Sequence, residues 1–164
     1  MKHLWSPWRM DYIQNNKKEE GCVFCNALTE VDSVDNLILY RDKRAFIILN
    51  RYPYTSGHLM IVPKMHASTL QELTRETRAE IMELTSRAIS ALAIAYQPQG
   101  FNLGMNLGEV AGAGIAEHVH LHIVPRWGGD TNFMSTTADT RVLPEALIDT
   151  YARVKKSWDK IHLT

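Results

Sequence analysis

Apolar positions in the first half of the chain fall in short, branched runs. NLILYRD (36–42) and RAFIILN (44–50) lie side by side with a polar turn between them, which predicts two strands joined as a hairpin. RYPYTSG (51–57) has the composition of a loop, and HLMIVP (58–63) predicts a third strand. The period then changes. Ile81, Leu84, Ala88, Leu92 and Ala95 recur every three or four residues, the signature of an amphipathic helix. Two capping boxes compete for its start, Thr77 with Glu80 and Thr69 with Glu72, and Pro98 closes it. FNLGMNLG (101–108) predicts a fourth strand, and a glycine-rich bend, GEVAGAG (108–114), leads into a fifth that carries HVHLHIV (118–124). Leu147, Tyr151, Val154, Trp158 and Ile161 predict a second main helix with Pro144 near its first turn. Strands in short hairpins with one long intervening helix predict an α+β fold. Its core is an antiparallel sheet of about five strands with two main helices on one side.

Composition narrows the class. The chain has 164 residues, the size of one domain, and its 45% hydrophobic and 22% charged residues are those of a globular protein. Residues 1–20 read as an N-terminal arm whose Trp5 and Trp8 must pack on something, and 21–164 as a single domain. Eighteen basic residues balance eighteen acidic ones, so no charge excess points to nucleic acid or to an acidic membrane surface. No apolar run reaches the roughly 18 residues that span a bilayer. The start, MKHLWSPWRMDYI, lacks the continuous apolar core of a signal peptide, and the expected compartment is the cytoplasm. The two cysteines, Cys22 and Cys25, form a CxxC pair. A reducing compartment favours a metal site, a redox pair or inert thiols over a structural disulfide, and no βαβ pattern of a redox domain surrounds them. GAG at 112–114 is no dinucleotide fingerprint, because Glu117 stands where its third glycine belongs and the bend enters a strand.

The histidines carry the chemistry. Alternation along a strand puts His118, His120 and His122 on one face and Val119, Leu121 and Ile123 on the other. Three readings fit that face: a solvated surface, a three-histidine catalytic metal site, or nucleophilic catalysis on phosphorus. In the last, a neutral imidazole attacks phosphorus and forms a covalent intermediate, while its neighbours donate hydrogen bonds to the phosphoryl oxygens. His58, just after Gly57, is a fourth candidate for the same cluster.

HVHLHIV fits a histidine triad pattern. ILNRYPYTSGHLMIVPKMH (48–66), CVFC (22–25) and HIVPRWGGD (122–130) extend the match over roughly residues 20–135. The chain resembles the histidine triad superfamily of nucleotide hydrolases and transferases. Its LWSPWRM arm and PRWGGDTNFM loop are most similar to those of the bacterial diadenosine tetraphosphate phosphorylases within it. The resemblance implies a nucleotide or nucleoside polyphosphate substrate, and a nucleotidyl-histidine intermediate on His120. It implies that His122 and His58 contact the α-phosphate or hold His120. Asn50 then meets the ribose hydroxyls, Asn106 the phosphate, and Phe46 and Ile48 wall the base pocket. It implies a structural zinc on Cys22, Cys25, His66 and His118, no organic cofactor, and a homodimer joined sheet edge to sheet edge, with Trp5 and Trp8 against the neighbouring subunit. Phosphorolysis of diadenosine tetraphosphate to ADP and ATP is the favoured activity. Hydrolysis of adenosine phosphoramidates or dinucleoside polyphosphates is the alternative, and a non-catalytic nucleotide-binding protein is a rival of another class. Relatives often carry Gln or Ser in the bend to assist the leaving group; here the bend reads Ala113-Gly114-Ile115. The backbone N–H groups of Gly112 and Gly114 are then expected to cradle phosphate, with inorganic phosphate or water as the acceptor. Trp127 either stacks on a base or covers the subunit edge. Arg126 and Lys64 either meet distal phosphates or are solvated.

Overall fold

The apolar runs pair into one antiparallel sheet. A computed structural model describes residues 21–130 and 145–161. The arm with Trp5 and Trp8, loop residues 131–135 and Pro144 lie outside those residues. The strands are β1 (Ile38–Arg41), β2 (Ala45–Leu49), β3 (Leu59–Pro63), β4 (Gly100–Gly104) and β5 (Leu121–Arg126). Their order across the sheet is β1-β2-β3-β5-β4, with every neighbour antiparallel. Among the described residues three α-helices accompany them: α1 (Val23–Thr29), α2 (Arg75–Tyr96) and α3 (Leu147–Ile161). Among the described residues no helix is long and apolar enough to cross a membrane.

The register divides the sheet into two faces. Tyr40, Ile47, Ile61 and Leu121 align across one face, followed by Leu49, Leu59 and Ile123. The helices α2 and α3 cover this face. Trp158 of α3 lies 4.9 Å from the Tyr40 ring, and Arg87 of α2 lies over both rings. Ile81, Leu84, Ala88 and Leu92 are the buried stripe of α2, as their spacing predicts. The opposite face aligns Ile48, Met60, His122 and Gly104, with Phe46 beside Val62. Every residue of β2 and β3 is buried, so both faces of the sheet centre are covered. That is why those strands read as unbroken apolar runs instead of alternating ones.

Several boundaries differ from expectation. The N-cap of α2 is Thr74, between the two candidate boxes, and its hydroxyl accepts the Thr77 N–H. Glu80 serves another purpose: its carboxylate accepts the Arg44 and Ala45 backbone N–H groups at the start of β2. Gln97, in the left-handed region at φ 47°, ends α2 one residue before Pro98. Strand β4 stops at Gly104, short of residue 108, and β5 starts at Leu121. Residues 118–120 approach β5 without joining its ladder. There the Val119 N–H donates to Ala67 O instead.

The α1 helix was not signalled by periodicity. It is seven residues long with one buried residue, Phe24. Its C-terminal carbonyls are held from outside. Arg41 donates to Leu28 O, Ala27 O and Glu30 O, a cation placed on the negative end of the helix.

Candidate active site and metal centre

The loop between β2 and β3 fixes the first histidine. The Asn50 N–H donates to His58 O, the His58 N–H to Thr55 O, and the Thr55 hydroxyl to Pro125 O. Gly57 has φ +79°, and a Cβ there would stand 2.9 Å from the Tyr96 ring, so a side chain is excluded on both counts. His58 is fully buried as a result.

The hydrogen bonds determine where the protons sit. His58 Nδ1 accepts the Tyr54 backbone N–H at 3.1 Å. A neutral imidazole with an accepting Nδ1 carries its proton on Nε2. That proton is donated to His122 Nδ1, 2.9 Å away. His122 therefore carries its own proton on Nε2, where it can act as a donor. Burial, reinforced by the nearby His120, pushes the His122 pKa down to about 4, so the ring is neutral near pH 7.

His120 has the opposite tautomer. Its Nδ1–H donates to His118 O at 2.9 Å, which leaves the Nε2 lone pair available. Burial lowers its pKa against the opposing pull of that hydrogen bond. The His120 and His122 rings meet edge to face at 4.7 Å. A lone pair thus stands beside a proton donor, the pair a nucleophile and its charge stabiliser need.

The third histidine faces another way. His118 Nε2–H donates to Pro63 O at 2.9 Å, so its Nδ1 presents a lone pair. That Nδ1 lies 3.2 Å from Cys22 Sγ and 3.7 Å from Cys25 Sγ, and Cys25 Sγ lies 3.4 Å from His66 Nδ1. The four ligand atoms are all within 4.8 Å of one another. A tetrahedral zinc with ordinary Zn–S and Zn–N bonds needs S···N edges of about 3.5 Å. The donor set and spacing fit zinc, and Cys22, Cys25, His66 and His118 form a group able to hold a metal ion. Cys22 is the N-cap of α1 and Cys25 lies in its first turn, so the Arg41 clamp on that helix also positions the thiols.

The structure distributes the other expected site residues unevenly. Asn50 is beside His58: its Nδ2 is 3.4 Å from His58 Nδ1, and its Oδ1 accepts the Tyr52 N–H. Ile48 aligns with Met60 and His122 across the sheet, and Phe46 is on the same face two residues along. Asn106, two residues beyond Gly104, donates to Gly112 O at 3.2 Å and pins the bend. Gly112 has φ +87°, and its N–H is used on Glu109 O, so it shapes the turn. Gly114 is exposed, with open space around its Cα. The Trp127 ring meets Tyr96 edge to face at 6.3 Å. Arg126 is held by Asp130 and Asn102.

Two neighbours escaped the sequence reading. The Phe24 ring lies 5.4 Å from His118 and 5.1 Å from His120, bridging the metal group and the middle histidine. The Tyr54 ring lies 4.6 Å from His58 and is nearly parallel to His122 at 6.1 Å. No spacing rule links either to the triad, because both contacts cross between separate elements.

Comparison with known proteins agrees with this architecture. The HIT domain family is matched by residues 31–129. The chain is 37% identical to a protein named AP-4-A phosphorylase from Mycobacterium tuberculosis (strain ATCC 25618 / H37Rv), over 96% of this chain and 85% of the relative. It is 32% identical to adenylylsulfatase HINT3 of Arabidopsis thaliana, over 70% of this chain and 56% of that protein. Among solved structures, a zinc-bound histidine triad family protein from Mycobacterium smegmatis superposes with a TM-score of 0.70 at 26% identity, covering 87% of this chain and 96% of that one.

Proposed function

Because the chain belongs to the HIT domain family, we propose that it is a nucleotidyl transferase acting on the α-phosphate of dinucleoside polyphosphates through a nucleotidyl-histidine intermediate on His120. The observation that carries this reading is the pair of opposed tautomers. His120 offers a buried lone pair at Nε2, and His122 offers a proton at Nε2 beside it.

In the first step His120 Nε2 attacks the α-phosphorus, and the bond from that phosphorus to the bridging oxygen breaks. His122 stabilises the phosphoryl charge, and His58 holds His122 in its donor tautomer. In the second step an oxygen of inorganic phosphate attacks the same phosphorus and the P–N bond breaks. Diadenosine tetraphosphate and phosphate become ATP and ADP. Ile48, which keeps 7% of its surface exposed, lies under the base with the fully buried Phe46 packed behind it, and Asn50 meets the ribose. Gly114 offers its backbone N–H to phosphate, while Gly112 and Asn106 hold the bend in shape. Cys22, Cys25, His66 and His118 hold a structural zinc that ties α1 to the triad and leaves the reacting atoms to the other histidines.

The bend favours a polyphosphate substrate over a phosphoramidate. An amine leaves only with a proton, which a side-chain donor must supply. ATP leaves as a stable anion and needs none, so Ala113-Gly114-Ile115 does not handicap it. A homodimer is part of the same reading: β4 is an edge of the sheet among the described residues, and joining two copies along it would cover that edge. The test is product analysis with labelled phosphate. We expect label in ADP and faster turnover as phosphate rises. AMP as the sole product at saturating phosphate would make the protein a hydrolase instead.

A further inference from the structure

The sheet changes its manner of bonding just before His58. Strand β3 pairs with β5 from Ile61 opposite Leu121 to Leu59 opposite Ile123. The same register carried two places further would set Gly57 opposite Pro125. The ladder stops short of that point, where the chain turns and Gly57 takes φ +79°. Pro125 has no N–H, so its carbonyl is the one backbone group there that needs a partner. Carbonyls alternate in direction along a strand. Arg126 O is taken by the Gln99 N–H on the β4 side, so Pro125 O, one residue earlier, faces the β3 side. Pro125 is buried, and the Thr55 hydroxyl donates to its carbonyl at 3.0 Å.

Thr55 thus does with a side chain what a further residue of β3 would do with its backbone. Its own carbonyl accepts the His58 N–H at 3.2 Å. One residue therefore holds two histidines. Its carbonyl is on His58, and its hydroxyl is on the strand three residues beyond His122. Across that bridge the His58 Nε2–H meets His122 Nδ1 at 2.9 Å. Leu92 and Tyr96 stand against Gly57 on the helix face and back the turn from that side. A slip of about 1 Å between the turn and β5 would take the 2.9 Å contact outside hydrogen-bond range. His122 would then lose the partner that fixes its tautomer and orientation.

Resting on the function proposed above, we propose that Thr55 is a positioning residue, whose hydroxyl sets the spacing between His58 and His122 and so holds His122 where it stabilises the phosphoryl charge. Thr55 acts through the two imidazoles and not on the substrate. The tie is a hydroxyl and not a ladder bond, so it can be removed without altering the backbone.

The experiment uses the full, zinc-loaded chain with Thr55 intact, with Thr55→Val, which keeps the shape and loses the donor, and with Thr55→Ser, which keeps the donor. One readout is kcat and KM for diadenosine tetraphosphate in the presence of phosphate. The other is the ring-nitrogen NMR shifts of labelled histidine without substrate, which report the His122 tautomer and the hydrogen bond at its Nδ1. Thr55→Val is expected to lower kcat by about 10- to 100-fold with KM within about twofold of the parent, because the group displaced acts in the transition state. The His122 Nδ1 shift should move to that of an unbonded ring nitrogen. Thr55→Ser should restore both. If Thr55→Val melted too low to assay, Thr55→Ala removes the same donor and takes its place. Full kcat without the hydroxyl, a change in KM alone, an unmoved Nδ1 shift, or a loss that Thr55→Ser did not restore would each overturn the proposal. If the parent did not turn over the dinucleotide, the proposed function would fall, while the shifts, read without substrate, would still decide the Thr55 assignment.

Discussion

Phe24→Ala is the substitution that most directly probes how the metal group and the middle histidine are joined. Phe24 is only 2% exposed, and its ring touches both His118 and His120. Truncating a buried Phe costs about 3–5 kcal/mol, part from lost transfer energy and part from the cavity left behind. For a domain of this size each kcal/mol is worth roughly 2–4 °C in Tm, so the melting point should fall by about 6–20 °C. The neighbour Val23 is the control. It is on the same short helix but 43% exposed, so Val23→Ala should cost no more than about 0.5 kcal/mol. A second effect should accompany the first. With the ring gone, His120 keeps its bond to His118 O but loses packing on one side. A displacement of about 1 Å at a reacting group costs on the order of 100-fold in rate. Scanning calorimetry of the zinc-loaded variants, paired with kcat at a temperature where both are folded, reads the two effects separately. If Phe24→Ala melted with Val23→Ala, or kept full kcat, the bridging role assigned to this ring would be wrong.

Other outcomes follow from the same geometry. Metal analysis after purification without chelators should give about one zinc per chain, and Cys22→Ala should lose it together with thermal stability. The zinc idea fails if the purified protein is metal-free yet fully stable. The acid limb of kcat/KM should lie well below pH 6.5, because burial lowers the His120 pKa and holds His122 near 4; a limb at 6.5 would contradict the neutral pair. Both groups have folded pKa values below their unfolded ones. Their contribution to stability is therefore fully present above about 6.5 and is lost as pH falls from there toward 4, which denaturant titration across that window would show. Arg41→Gln should loosen α1 by removing the cation from its carbonyl end, lowering zinc affinity more than it lowers nucleotide affinity, as competition with a chromophoric chelator and calorimetry would read.

Much of this was legible in the chain. The runs at 44–50 and 58–63 are strands because their apolar residues serve two covered faces, and the stripe from Ile81 to Leu92 is the buried face of α2. The alternation of HVHLHIV brought the His120 and His122 rings together, but His118 turns to the cysteines and the ladder itself begins only at Leu121, since Val119 bonds to the Ala67 segment. The α2 start was ambiguous because Thr69, Thr74 and Thr77 each precede a polar residue by three positions, and only packing selects Thr74. The α1 helix was invisible because seven residues with one buried side chain carry no period; a guanidinium from another strand supports it. The tautomers were beyond reach for the same reason. They depend on the Tyr54 amide, the His58 ring and the Pro63 and His118 carbonyls, which meet the imidazoles only in the folded chain.

The central claim is a covalent intermediate on His120, and the stereochemistry at the α-phosphorus tests it without regard to the acceptor. Two successive in-line displacements each invert the phosphorus, so a substrate made chiral there should give product with overall retention of configuration. Retention in the wild-type enzyme, with turnover abolished in His120→Asn, is the result this account predicts. Inversion would mean that the acceptor attacks the substrate directly, and would contradict it.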